Sequence, residues 1–255
     1  MNAATDLRTR ELVIIGAGGF GAVAAATAEQ INAAADAGIH RWEVIGYADS
    51  DPAKRGARHA GRPVHGTLED TAQAFGQRGL WFVCAIGDNR ARAAVAARAV
   101  SLGWRPATLV HPSAVLDRSV QIGAGSFIGP LVVAAWDARI GANVVIDAHV
   151  SIGHNAVLMD CCEAFGGARI NGNCQVGEFA LIGCNATLLP GTLVGRGAVV
   201  GANSLAHGIV EPDAMVLGAP ARVIRRGNHG FSARPGPWAG MEGEHGEHDD
   251  ARQQQ

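Results

Sequence analysis

"SIGHNAVLMDCCEAFGGARINGNCQVGEFALIGCNATL", residues 151–188, repeats one pattern every six residues. Ile152, Leu158, Ala164, Ile170, Val176, Ile182 and Leu188 fall on one series, all of them aliphatic. Two residues before the later ones stand Ala156, Cys162, Ala168, Cys174, Ala180 and Ala186, all small. Followed outward, the six-residue step runs from Ile122 to Ala206 without a slip. Twelve of its fifteen positions are Ile, Leu or Val, and the other three are Ala, too regular for chance. A strict six-residue period is the signature of a hexapeptide β-helix. Successive side chains of a strand point to opposite faces, and turns between short strands bring large and small residues alternately into a narrow prism. Glycine follows the aliphatic residue at Gly123, Gly129, Gly141, Gly153, Gly177, Gly183, Gly195 and Gly201. There the chain is expected to turn a corner, with glycine relieving the strain. Three hexads close one triangular coil, so this series predicts about five coils and a prism on the order of 24 Å long. Periodicity leaves the hand of the helix open.

Set into this pattern is His154, two residues after inward Ile152, so it projects from a corner. One coil further on, the same corner carries Gly172. A histidine beside a bare glycine leaves room for a substrate, and the Gly172 N–H is a candidate donor to a developing oxyanion. An ordinary surface histidine fits the spacing as well. His149 and His154 also form an H-x4-H pair, the basis of an alternative zinc site, as in a zinc-dependent lyase of the β-helical carbonic-anhydrase kind. Its third ligand is missing from the register, because Ser113 stands two coils before His149 and His111 is out of step. Cys162 and Cys174 belong to the small inward series and read as core residues.

The 255 residues, 48% of them hydrophobic, suit a globular protein with a sizeable core. A net charge of −2 gives no basic field for nucleic acid or an anionic membrane. Thirty-five glycines without a Gly-X-Y period exclude collagen. The opening "MNAATDLRTRELVIIGAGG" lacks a stretch of signal-peptide form. No apolar run reaches the roughly 18 residues that span a bilayer. Five cysteines, an odd number without a CxxC pair, read as reduced thiols, so a cytoplasmic location is expected.

Residues 1–10 read as a flexible lead-in and residues 11–110 as a separate α/β domain. "ELVII" (11–15), "WEVIGYA" (42–48) and "LWFVCAI" (80–86) are strand-like. "GAVAAATAEQINAAADAG" and "NRARAAVAARAVSLG" read as helices ending at glycine. This βαβαβ order implies a parallel sheet with crossover helices, about one mononucleotide-binding half of a Rossmann fold. "GAGGFG" places Gly16, Gly18 and Gly21 in G-x-G-x-x-G spacing between a strand and a helix. Small residues there let a phosphate approach the helix N-terminus; tight strand–helix packing would use them equally well. The same motif, with Asp49 ending the second strand, admits a dinucleotide-binding reading, which the shortness of the domain disfavours. Residues 111–226 hold the β-helix and end in "MVLGAPARVIRR", where Arg222, Arg225 and Arg226 could meet phosphate or simply be solvated. Residues 227–255, with His245 and His248, read as a disordered tail; a metal role for those histidines is the less favoured reading.

"LVIIGAGGFG", "GYADSDP", "AIGDNRAR", "HPSA", "SIGHNA", "IGCNATLLPG" and "VLGAPAR" together resemble the bacterial NeuD/PglD-type sugar O- and N-acyltransferases over residues 11–226. The resemblance implies a small Rossmann-like N-terminal domain, which binds the sugar, followed by a left-handed parallel β-helix. It implies a homotrimer that uses acetyl-CoA, without metal, in the groove between neighbouring prisms. The implied reaction acetylates an amino group or hydroxyl of a sugar, such as a nucleotide-linked 4-amino sugar or a sialic acid, for a surface glycan. His154 is the catalytic histidine by this resemblance, with Asn155 beside it. Gly18, Gly19, Phe20, Asp49 and Gly87 fall on the nucleotide-sugar contacts, and Glu163, Cys184 and Ala202 on the coenzyme contacts. Three positions depart from the usual pattern: Phe20 replaces a frequent histidine, Asn155 a usual acid, and Asp147 a frequent asparagine. An amide at position 155 cannot supply the charge that strengthens a neighbouring imidazole as a base.

Overall fold

The structure, a computed structural model, describes residues 9–35, 41–76 and 79–227. The proposed tail with His245 and His248, and all but the end of the lead-in, lie outside the described residues. Apolar runs and helix caps set out the N-terminal part. It contains β1 (Arg10–Ile15), α1 (Gly19–Ala34), β2 (Trp42–Ala48), a β3–β4 hairpin (Arg58–His59 and Arg62–Pro63), α2 (Leu68–Phe75), β5 (Trp81–Cys84), α3 (Asn89–Ser101) and β6 (Arg105–Pro106). The four longer-range strands form one parallel sheet in the order β2-β1-β5-β6. Leu12, Val13, Ile14, Phe82 and Val83 are buried at its centre. The hairpin and α2 were not visible as apolar periods. The eight residues of α2 are held instead by a capping box, in which the Thr67 hydroxyl accepts from the Asp70 N–H and the Asp70 carboxylate accepts from the Thr67 N–H. Among the described residues no helix is long and apolar enough to cross a membrane.

From Leu109–Val110 onward the chain is a parallel β-helix of two-residue strands. Three sheets form its faces. The first carries Leu109–Val110, Phe127–Ile128, Val145–Ile146, Glu163–Ala164, Leu181–Ile182 and Val199–Val200. The second carries Ser151–Ile152 and the third Val157–Leu158, each within its own stack. From Leu109 to Ala206 each strand pairs with the strand eighteen residues on, as Ser151 does with Arg169 and Ile152 with Ile170, and the closing pairs, Leu193 with Ile209 and Val199 with Met215, are sixteen apart. The inward aliphatic and small series fill the prism: Ile152, Ala156, Leu158, Cys162, Ile170 and Cys174 are all buried. Each large side chain so placed contributes about 1.5–3 kcal/mol. The prism makes about six coils rather than five, because Val110 and Leu116 extend the step below Ile122, and Val210 and Val216 add strands above Ala206. Its length is accordingly about 29 Å.

The corners work differently from the expectation. The residue that turns the chain lies three places after the inward aliphatic. Asp137, Asn143, His149, Asn155, Cys161, Gly167 and Asn173 all have φ between +52° and +74°. Asparagine, aspartate and glycine tolerate this region best, which accounts for much of that column. The glycines directly after the aliphatics do not turn the chain. A Cβ on Gly153 would strike the Gly172 nitrogen of the next coil, and one on Gly183 would lie 2.6 Å from the Ala202 nitrogen. Glycine there lets coils stack.

One buried cation joins the two parts. Arg92 of α3, 1% exposed, reaches the first face of the prism. Its guanidinium donates to Glu163 Oε2 (3.2 Å), Asn143 O (3.1 Å), Cys161 O (3.1 Å), Asn89 Oδ1 (2.7 Å) and Ile86 O (2.8 Å). Such an ion pair offsets its desolvation only because the remaining donors are satisfied. Phe20 of α1 adds an edge-on contact with Phe127, ring centroids 5.2 Å apart. Replacing Arg92 by Met leaves Glu163 as an unpaired buried carboxylate and is expected to cost about 3–5 kcal/mol. Urea unfolding measures this loss, and adding Glu163→Gln to Arg92→Met is expected to recover part of it.

Candidate active site

The β-helix register brings His154 and Gly172 together, though not as the spacing suggested. A Cβ on Gly172 would lie 2.7 Å from His154 Nε2 and 2.9 Å from Cε1. The imidazole therefore lies across the Gly172 backbone, and the space above that glycine holds the ring itself rather than a substrate. Below, Trp136 occupies the equivalent corner and is 58% exposed. The backbone around His154 is clamped on both sides: its carbonyl accepts from the Asn173 N–H (2.9 Å), and the Asn155 N–H donates to the Trp136 carbonyl (3.0 Å).

Asn155 faces the imidazole. Its Oδ1 is 2.9 Å from His154 Nδ1, and its Nδ2 donates to Asp137 Oδ2 at 3.3 Å. The carboxylate missing after His154 is thus present one coil earlier. Sequence reading overlooked Asp137, although 155 minus one coil leads to it. Asp147 does not orient the ring. It lies one corner back, accepts from the Ala148 N–H (2.7 Å), and faces the N-terminal domain. His149 stands at that same earlier corner, at the opposite end of the Ser151–Ile152 strand from His154. The two histidines do not converge, and among the described residues no group of three His, Cys, Asp or Glu side chains could hold a metal.

A second concavity, a cleft of about 720 Å³, lies between the N-terminal domain and the first face of the prism. Phe20, Gly87, Asp88, Phe127, Asp147 and Glu163 are among its walls. The glycines that flank Phe20, a wall of the cleft, divide their labour. Gly16, at φ +110°, is required because a Cβ would lie 2.6 Å from the Ala85 carbonyl, and a Cβ on Gly21 would strike the Gly16 carbonyl. Gly18, Gly19 and Gly87 instead face open space, with nothing within 4 Å of an added Cβ. Asp49 shapes this loop: its carboxylate accepts from the Ala17 N–H (2.8 Å), the Asp51 N–H (2.9 Å) and Lys54 (3.1 Å). Partial burial pushes the Asp49 carboxyl up, but those donors outweigh it and hold the group below its ordinary value.

Cys184 and Ala202 are exposed and stack at one corner, a coil apart. Glu163 does not join them. It is 6% exposed, on the first face under Arg92, where burial pushes its carboxyl up against the pull of the guanidinium. Its place is at the domain joint and the cleft wall, on the strand paired with Leu181–Ile182, and its carboxylate is engaged by Arg92. Cys162 and Cys174 are core residues, and burial raises both thiols. Arg222 lies on the exposed closing strand Ala221–Arg225.

Residues 11–99 match the PglD N-terminal domain family. That match covers the N-terminal domain and not the β-helix. Two solved structures share its whole architecture. A mutant perosamine N-acetyltransferase from Caulobacter crescentus, in complex with CoA and GDP-perosamine, is 26% identical with a TM-score of 0.74, over 86% of this chain and 97% of that one. The acetyltransferase domain of PglB from Neisseria gonorrhoeae, in complex with acetyl coenzyme A, is 27% identical with a TM-score of 0.74, over 85% of this chain and 100% of that one. A protein of Escherichia coli K12 named as the lipopolysaccharide biosynthesis O-acetyl transferase WbbJ is 46% identical over 41 residues, 16% of this chain and 21% of that relative's length.

The contact between His154 and Gly172 yields a direct test. Gly172→Ala is expected to push the imidazole off its platform while leaving the coil register intact. A crystal structure of the variant would show the rotated ring, and its unfolding free energy is expected to fall by about 1 kcal/mol or less.

Proposed function

We propose that this chain transfers the acetyl group of acetyl-CoA to an amino group on a nucleotide-linked sugar, with His154 as general base. The observation that carries the proposal is the His154 ring, fixed at an outward corner with its Nδ1 engaged by Asn155 and, among the described residues, no side-chain hydrogen bond at Nε2. Nε2 takes the proton as the acceptor nitrogen attacks the thioester carbonyl. The tetrahedral intermediate collapses, the C–S bond breaks, and coenzyme A leaves as a thiolate that recovers the proton. A thioester is already activated, so proximity and one base suffice without a covalent enzyme intermediate. The Gly172 backbone is the platform under the imidazole, and its N–H is the proposed donor to the oxyanion.

The domain cleft is the proposed sugar site. Gly18, Gly19 and Gly87 leave its backbone open to phosphates at the start of α1, and Phe20 supplies an apolar wall. Asp49 contributes by holding the glycine loop in shape. The charged side chains lining the cleft are all acids: Asp88, Asp147 and Glu163. Glu163 is paired to Arg92 and Asp88 caps α3; Asp147, whose Oδ1 accepts from the Ala148 N–H, is the proposed partner of an amine through its other oxygen. This favours N-acetylation over O-acetylation of a sialic acid or similar hydroxyl.

The cleft and His154 lie at successive corners of one chain. A homotrimer in which a neighbouring copy brings them into one groove reconciles them, with acetyl-CoA running past the exposed Cys184 and Ala202. Exposed Val115, Val133, Leu193 and Ile209 on the other two faces of the prism support such packing. A cytoplasmic site of action, where acetyl-CoA and nucleotide sugars are made, follows from this chemistry, and a surface glycan is the proposed destination of the product.

Thiol release from acetyl-CoA tests the proposal, measured with a panel of UDP-, GDP- and dTDP-linked 4-amino sugars and free sialic acid. One nucleotide amino sugar is expected to support turnover, with kcat at least about 100-fold lower in His154→Ala. An unchanged kcat in that variant would remove His154 as the base. Preference for sialic acid would make the reaction O-acetylation.

A further inference from the structure

The hydrogen bonds around Asn155 can be read for the position of a proton. An amide has two unlike ends: Oδ1 only accepts and Nδ2 only donates, whereas a carboxylate only accepts. Asp137 can therefore be met only by the Nδ2 end of Asn155, at 3.3 Å. That choice turns Oδ1 toward His154. An acceptor 2.9 Å from Nδ1 requires Nδ1 to carry a proton. In the neutral ring the lone pair then sits on Nε2.

We propose that Asp137 is a positioning residue which, through the Asn155 amide, holds neutral His154 in the tautomer with its proton on Nδ1 and its lone pair on Nε2. The inference rests on the reading of His154 as the base, because only a base needs that lone pair.

The fold builds this relay from one repeated position. Asp137 and Asn155 are the left-handed corner residues of successive coils, at φ +54° and +58°. Both backbones are tied down: the Asp137 N–H donates to the Ser119 hydroxyl (2.8 Å) and the Asn155 N–H to the Trp136 carbonyl (3.0 Å). Their side chains leave adjacent corners in the same direction. Arg139 Nη2 lies 3.4 Å from each Asp137 oxygen and steadies the carboxylate from its other side. Without the carboxylate, the amide has little reason to prefer one orientation. Turned over, it would present Nδ2 to Nδ1, force the ring proton onto Nε2, and leave His154 unable to accept a proton there. The relay thus replaces the direct carboxylate neighbour that Asn155 cannot be.

The test is imidazole ¹⁵N NMR on the full chain at a pH where the rings are neutral, with the His154 signals identified by their loss in His154→Gln. The expected wild-type spectrum has an unprotonated Nε2 and a protonated Nδ1. Asp137→Gly removes the carboxylate where the backbone already suits glycine. It is expected to raise the protonated share of Nε2 to about half, as for an amide without a fixed orientation. Asn155→Asp places a carboxylate directly on Nδ1 and is expected to keep the wild-type tautomer whether or not Asp137→Gly is added. A purely structural role for Asp137 would give the same change in both backgrounds and would overturn the proposal. A wild-type ring protonated on Nε2, or a spectrum unmoved by Asp137→Gly, would overturn it too. No coenzyme or acceptor enters this readout, so it stands apart from whether His154 serves acetyl transfer. In the thiol-release assay Asp137→Gly is expected to lower kcat about 10-fold or more with little change in KM.

Discussion

Parallel hydrogen bonding between strands eighteen residues apart governs this molecule. Each coil is hydrogen-bonded to both neighbours, the Gly153 N–H donating to the Ile170 carbonyl of the next coil and the Asn155 N–H to the Trp136 carbonyl of the coil before, so every corner is stacked over its counterpart. A side chain at a corner therefore has two permanent neighbours, one coil back and one coil on. For His154 these are Trp136 and Gly172, and for Asn155 they are Asp137 and Asn173. The rigidity of a short-stranded prism with an aliphatic interior turns these neighbours into fixed geometry. An imidazole lying on a glycine and an amide reaching a carboxylate follow from it without any loop that must first be ordered.

The N-terminal domain is attached to this frame through polar, ionic and apolar contacts of α1 and α3. Arg92 sits on the first face with donors to both parts of the chain, and Phe20 packs against Phe127. The residues that close the joint are also those that bound the cleft. Glu163 holds Arg92 and walls the cavity; Phe20 follows the glycine loop and touches the prism. Stability of the joint and shape of the cleft are therefore set together, and an uncompensated change at Arg92 would be felt in both.

Much of this was open to reading in the residues themselves. The six-residue period identified the β-helix because its inward series is unbroken, and the glycine motif between a strand and a helix identified the mononucleotide half. The same arithmetic reached Gly172 but misjudged what fills the space above it, since a rotamer cannot be read from spacing. Asp137 was one subtraction away, yet nothing in its local sequence marks it apart from other corner acids. The corner glycines were assigned to turning, when the left-handed residue lies two places further on and glycine serves the approach of the next coil. Glu163 was grouped with Cys184 and Ala202 by resemblance alone. Its partner Arg92 lies 71 residues away on another domain, a distance that no periodicity bridges.

The central claim is that corner stacking presents His154 Nε2 to a thioester. The most direct measurement is a crystal structure of the protein with bound coenzyme A. The account predicts the thiol sulfur in a groove against the corner of His154, within hydrogen-bond reach of Nε2 or one water away. A thiol seated at a different corner, with His154 facing solvent, would contradict it.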